Sequence, residues 1–286
     1  MINRRFYVKD YDIATFQRWK KMKSKKIGLV LGSGAVRGYA IIPIIKRLER
    51  EDIKISAVSG SSVGALLGAY YALHGEMDSF FEHITELSRK EYLKLIDPNN
   101  PKISLFKGKK IKNFLIENYF QNKTFDDAIM PLYVCATDFV KKEPVYISEG
   151  KLIDAVMASI SIPGLVPPYQ IGEKYFVDGG VLDPVPTEPL LESGFKKVIG
   201  ISLVGHKAGE KKKGDEGMIP ALMNSFYMMM EQMGKKKEDP RLFMFHLRFE
   251  PDPTRMLAFH DWEKNYRIGK KAIDNKIDDL KKWLQN

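Results

Sequence analysis

Apolar residues fall in short dense runs separated by longer stretches at helical spacing, and this alternation predicts the architecture. Ile27-Gly28-Leu29-Val30-Leu31 and Leu132-Tyr133-Val134-Cys135-Ala136 read as buried strands. Similar runs place strands near 27–31, 55–58, 132–137, 144–147, 174–177, 197–203 and 242–249. Helices are predicted over 39–51, 63–73, 77–90, 108–120, 151–158, 187–193, 219–233 and 261–285. Strands alternating with helices imply an α/β fold, a three-layer α/β/α sandwich around a mainly parallel sheet. Residues 98–101 and 205–217 are the clearest loops, and there is no internal repeat. A basic extension at 1–25 precedes one expected domain, 26–286, whose motif-bearing core is 27–203.

Two helices differ from the rest. Tyr266, Ile273, Ile277, Leu280 and Leu284 recur at helical spacing with Lys and Asp opposite, a packing helix. Met218–Met233 holds six of the thirteen methionines and is apolar nearly all round. That suits an adaptable wall or lid, although a buried core helix is the favoured reading.

Composition narrows the class. At 286 residues and 44% hydrophobic side chains, the chain buries a substantial core without covalent staples. Its one cysteine, Cys135, sits in a strand pattern, and a single cysteine excludes an internal disulfide framework. No apolar run approaches the ~20 residues that span a bilayer, and no signal-peptide pattern opens the chain, so a cytoplasmic protein is expected, peripheral to the membrane at most. The formal net charge of +10 is unevenly placed: residues 1–26 hold nine Lys/Arg against Asp10 and Asp12, leaving +3 for the remainder. An arm carrying Phe6, Tyr7, Phe16 and Trp19 suits an anionic membrane surface or packing on the domain. No nucleic-acid reader motif accompanies it, and no nucleic-acid partner is expected. The oligomeric state is not legible.

Three motifs carry chemistry. Gly60-Ser61-Ser62-Val63-Gly64 lies between a short strand and an apolar helix, which puts Ser62 on a sharp turn at a helix N-terminus. Gly32-Ser33-Gly34-Ala35-Val36-Arg37-Gly38 follows an apolar strand and directs consecutive backbone N–H groups into a concavity fit for an oxyanion or a phosphate. Its spacing is one residue longer than a dinucleotide fingerprint and lacks the Lys-Ser/Thr of a P-loop. Asp178-Gly179-Gly180 ends an alternating strand and offers a carboxylate base. His74, His83, His206, His246 and His260 are scattered and none sits in a small-residue turn. A Ser62, Asp178 and His246 or His260 triad remains an alternative.

Taken in order, these motifs resemble those of the patatin-like phospholipases, of the small bacterial kind, over about Ile27 to Leu203. The loop Ala158-Ser159-Ile160-Ser161-Ile162-Pro163-Gly164 and Val166-Pro167-Pro168 add to the likeness. The resemblance implies a Ser-Asp dyad, with Ser62 as nucleophile and Asp178 as base, and an oxyanion loop over Ser33, Gly34, Ala35, Val36, Arg37 and Gly38. It implies lipid acyl-ester hydrolysis without metal or cofactor. Arg37 is expected to orient the loop or attract an anionic head group, with a surface salt bridge as the alternative. Two departures stand out. Ser33 and Ala35 replace the outer two of three usual glycines, so a positive φ at Ala35 would be strained and the donor pair stays open. Leu182-Asp183-Pro184-Val185-Pro186 replaces the usual continuation after the aspartate. A carboxylesterase or thioesterase, or a non-catalytic phosphate-binding regulator, are the alternatives in function.

Overall fold

The computed structural model describes residues 26–206, 217–234, 239–250, 259 and 262–286. The basic arm, most of the 205–217 loop and His260 lie outside the described residues. Among the described residues, eight strands form one sheet: β1 (Ile27–Leu31), β2 (Ile55–Ser61), β3 (Leu132–Asp138), β4 (Glu143–Ile147), β5 (Tyr169–Ile171), β6 (Lys174–Asp178), β7 (Lys197–His206) and β8 (Leu242–Phe249). Their order is β5-β6-β3-β2-β1-β7-β8, with β4 also paired to β3. The run from β3 to β8 is parallel, whereas β4, β5 and β6 are antiparallel. The parallel run leads its strand ends to one rim of the sheet, where βα loops collect.

Helices α1 (Ile41–Arg50), α2 (Val63–His74), α3 (Asp78–Glu86), α4 (Arg89–Lys94), α5 (Lys109–Leu115), α6 (Leu152–Ser159), α7 (Glu188–Glu192), α8 (Met218–Gly234) and α9 (Glu263–Gln285) flank the sheet. Strand periodicity explains the layers. Leu29 and Leu31 face a large core with α1, α2 and α9, while Val30 between them faces a smaller one with Val185, Leu190 and Phe195. In α1, Ile41, Ile44, Ile45 and Leu48 make the buried stripe, and each such side chain contributes about 1.5–3 kcal/mol by burial. No helix among the described residues is long and apolar enough to cross a membrane.

Most expected elements are present, with differences that have local causes. The expected helix at 39–51 begins earlier, as a 3₁₀ turn over Ala35–Ala40 that runs out of the glycine loop. The expected helix at 77–90 is broken, because Ser88 and Glu91 form a capping box that starts α4. The expected helix at 108–120 ends in a π turn, Ile116–Phe120. Strand β5 has only three residues, too few for a period to show. Helix α8 corrects the core reading: Met223, Tyr227 and Met230 are buried, but Met218, Leu222, Met228 and Met229 are exposed.

Candidate active site

Ser62 joins β2 to α2 with φ 57° and ψ −125°, a conformation that a residue with a Cβ occupies only when its surroundings impose it. Several contacts do so. The Ser62 carbonyl accepts from the N–H groups of Ala65 and Leu66 at 2.9 and 3.1 Å. Its own N–H donates to Ser159 Oγ at 2.9 Å, and Ser159 Oγ donates to the Cys135 carbonyl at 2.5 Å. The flanking glycines answer a steric demand: a Cβ at Gly60 would press on the Gly64 carbonyl, and one at Gly64 on the Leu31 carbonyl.

Asp178 ends β6 beside this turn. Its Oδ2 accepts the Ser62 hydroxyl at 2.6 Å, in the range of bonds to an ionised carboxylate, and Oδ1 accepts the Gly180 N–H at 2.7 Å. Burial pushes its pKa up to about 7, and the bonds from Ser62 and Gly180 pull the other way. The backbone is pinned on both sides, its N–H on the Ser161 carbonyl and its own carbonyl under Thr137 Oγ1. A Cβ at Gly179 would meet the Cys135 carbonyl and one at Gly180 would meet Ser33 Oγ, so the pair of glycines lets β3 and the glycine loop approach. The departure at 182–186 has a structural role: the Asp183 N–H returns to the Gly179 carbonyl, its carboxylate accepts the Tyr146 hydroxyl, and the Pro184 carbonyl accepts the Ser33 N–H.

The glycine loop is therefore tied to the aspartate turn, and this limits its free donors. Gly32 N–H binds the Ile201 carbonyl, Ser33 N–H the Pro184 carbonyl and Arg37 N–H the Gly34 carbonyl. The N–H groups of Gly34, Ala35 and Val36 have no acceptor among the described residues. Ser33 thus lines the site through its side chain, which donates to Ser61 Oγ at 2.9 Å, and not through its amide. Gly34 lies against Leu203 and Gly38 against Val63, leaving neither room for a side chain.

Arg37 is buried and not the surface ion pair considered above. Nη1 donates to the Leu203 carbonyl at 3.1 Å, Nη2 lies 3.3 Å from His206 Nε2, and the guanidinium sits 4.0 Å from the Tyr227 ring centroid. His206 Nδ1 meets Glu231 Oε2 at 3.0 Å, and Tyr227 Oη donates to the Gly34 carbonyl at 3.3 Å. Arg37 thus ties the loop to β7 through the Leu203 carbonyl.

Ala35 has φ 48°, the left-handed region in which the Cβ is unfavourable. Ala35→Gly is expected to keep turnover within about a factor of two, since any donor this position offers to a ligand is its backbone amide, which glycine keeps. Relief of about 1 kcal/mol of strain, offset by backbone entropy, should leave the melting temperature equal or slightly higher. A tenfold loss of turnover on ester substrates would instead assign the methyl a packing role.

Ser33, Gly34, Ala35, Ser62, Ile162, Asp178, Phe226, Tyr227 and Met230 line a cleft of about 220 Å³ of empty space, its mouth included. No described histidine reaches it as a third member. The Asp178 carboxylate is held by Ser62 and Gly180, and His246 is exposed on β8, five strand positions from β6, roughly 24 Å at normal strand spacing. His74 closes the far end of α2, His83 lies in α3 and His206 serves Arg37. Two contributors are given no individual role by the sequence. Ser159 is a buried serine at a helix end, and Tyr227 is the one hydroxyl-bearing aromatic in an otherwise greasy helix.

Comparison with known proteins supplies the family. A family model for patatin-like phospholipase matches residues 29–191. An uncharacterized NTE family protein of Mycobacterium tuberculosis is 30% identical over 207 residues, covering 72% of this chain and 57% of the relative. The neuropathy target esterase sws of Drosophila melanogaster is 28% identical over 67% of this chain and 14% of its own length. Lysophospholipase NTE1 of Cryptococcus neoformans is 28% identical over 64% and 12%. The chain thus spans little more than half of the first relative and a small part of the others. Among solved structures, VipD from Legionella pneumophila aligns with TM-score 0.46 at 14% identity, over 88% of this chain and 67% of that one. Type III effector protein ExoU aligns with TM-score 0.48 at 14% identity, over 92% and 54%.

Proposed function

Because the chain belongs to the patatin-like phospholipase family, we propose that it is a serine lipid acyl hydrolase working through Ser62 and Asp178. The 2.6 Å bond from the Ser62 hydroxyl to a buried carboxylate carries this reading. Ser62 Oγ attacks the acyl carbonyl carbon as its proton passes to Asp178 Oδ2. The N–H groups of Gly34, Ala35 and Val36 hold the oxyanion, each well-placed donor contributing on the order of 3 kcal/mol. Collapse expels the alcohol, which takes the proton back from Asp178, and leaves an acyl ester on Ser62. A water then gives its proton to Asp178 and attacks that ester, and Asp178 returns the proton to Ser62 Oγ as the fatty acid leaves. Beyond the substrate, the steps use only protein groups and water.

Burial suits this role. An ordinary aspartate, with a pKa of ~3.9, is a weak base near neutrality, and desolvation raises its basicity to where proton transfer is needed. In this reading residues 26–286 act as one hydrolase domain, 1–25 are an extension toward an anionic membrane surface, and the protein works at the cytoplasmic side of it. The cleft holds a carboxylate and, among the described residues lining it, no cation. That favours a neutral carbonyl over a phosphate ligand. Relatives named lysophospholipase and esterase favour phospholipid or lysophospholipid esters, with simple carboxylesters or thioesters as the second reading.

The base must be ionised, so kcat/KM is expected to rise with pH through a midpoint near 7, following the carboxyl group of Asp178. Rates on phospholipid vesicles, a short soluble ester and a thioester, each compared with Ser62→Ala, test the assignment. Ser62-dependent cleavage strongest on phospholipid supports it, and preference for the thioester or no Ser62-dependent cleavage overturns it.

A further inference from the structure

An ordinary amphipathic helix turns a charged face to water, and α8 does not. Across Met218–Gly234 the one charged residue is Glu231, whose carboxylate is engaged with His206. Helical spacing of about 100° per residue puts Met218, Leu222 and Met229 on one stripe, opposite buried Met223, Tyr227 and Met230. That outer stripe is 81, 53 and 57% exposed. Contiguous apolar exposure of this kind marks an interaction surface.

Next to it lies the most basic segment of the described chain. Residues 89–110 carry seven Lys/Arg against Glu91 and Asp97. All seven cations are exposed, while Asp97 is buried and caps the N–H groups of Gly108 and Lys110. None of the seven forms an ion pair with a carboxylate among the described residues. Between the cations, Leu93 and Ile103 are 56 and 63% exposed. The segment is fastened to the cleft wall: Leu105 N–H donates to the Gly164 carbonyl and Phe106 N–H to the Leu165 carbonyl, just beyond cleft-lining Ile162. Leu105, Phe106 and Leu165 pack with Met223, Phe226 and Met230 of α8 in one cluster.

We propose that the outer stripe of α8 and the 89–110 segment together form the surface on which this protein sits on an anionic lipid bilayer. Apolar side chains enter the head-group region while the surrounding cations face lipid phosphates, the combination that holds interfacial proteins. The inference rests on the lipid-hydrolase reading of the cleft. It also bears on the cleft, whose wall α8 supplies in part. Phe226 and Met230 line the cleft on the helix whose opposite side would meet lipid, so docking and widening act on one element.

The test uses the full chain with sedimented vesicles of phosphatidylcholine containing about one third phosphatidylglycerol. The pairs Leu222→Glu/Met229→Glu and Lys102→Glu/Lys107→Glu are each expected to weaken vesicle binding by about tenfold or more. Both should hydrolyse soluble p-nitrophenyl butyrate at near the wild-type rate, which also shows that they fold. Wild-type binding retained by both pairs overturns the proposal, as does equal wild-type binding to vesicles of phosphatidylcholine alone. A dimer dissociated by the apolar pair with vesicle binding unchanged assigns the face to a second copy and overturns it too. Loss of binding in both pairs upholds the surface even if turnover proves independent of Ser62, an outcome that would remove the hydrolase reading alone.

Discussion

Ser62→Ala is expected to abolish ester turnover, with a loss on the order of 10⁴-fold or more, because no other nucleophile replaces the hydroxyl. The geometry gives the substitution a second, separate consequence. Ser62 donates one of the two hydrogen bonds that the Asp178 carboxylate accepts among the described residues. Without that donor the buried carboxylate is less well satisfied, and its pKa should rise further above its present value of about 7. The variant should keep its circular dichroism spectrum and remain folded. Residual turnover above a few per cent of wild type, measured on a soluble ester with folded protein, would remove Ser62 from the chemistry.

Asp178→Asn is expected to lower kcat by about 10³-fold, since an amide cannot take the serine proton. Its stability should move the opposite way. A carboxyl group whose pKa is raised in the folded protein binds more protons folded than unfolded between about pH 4 and 7, so wild-type stability falls as pH rises across that window and stays lower above it. Asparagine does not titrate, yet its Oδ1 can still accept the Gly180 N–H. The melting temperature of the variant minus that of wild type should therefore grow between pH 5 and pH 8. A difference that is flat or shrinks over that range would show that the Asp178 carboxyl is not held at a raised pKa.

How far the sequence carries depends on whether a feature is local. Gly60, Ser62 and Gly64 are visible because one tight turn needs them within five residues, and the close approaches at both glycines follow from that turn. Strands such as β1 and β3 show as dense apolar runs, and α1 shows as a stripe. Asp178 is legible as a strand-end carboxylate, but its burial and its contact with Ser62 depend on β6 pairing with β3 across the sheet. Contacts made by distant segments left no comparable mark. Ser159 holds the Ser62 amide from 97 residues away, and Tyr227 reaches the Gly34 carbonyl from 193. For Arg37 the sequence leaves open a loop orienter, an anion attractor or a surface salt bridge, and Tyr227, Phe249 and the Leu203 carbonyl give it a satisfied buried place. Helix α8 reads as core because it is apolar on every side, while the fold buries only the stripe over the cleft.

The most direct measurement of the central claim is reaction of wild type and Ser62→Ala with a fluorophosphonate probe, with the adduct located by mass spectrometry. The probe phosphonylates an activated serine and releases fluoride, so it reports nucleophile and oxyanion site together without a choice of substrate. One adduct on Ser62, absent from the alanine variant and slowed when Asp178 is asparagine, is the predicted result. Folded wild-type protein that carries no adduct, or carries it on another serine, would contradict the account.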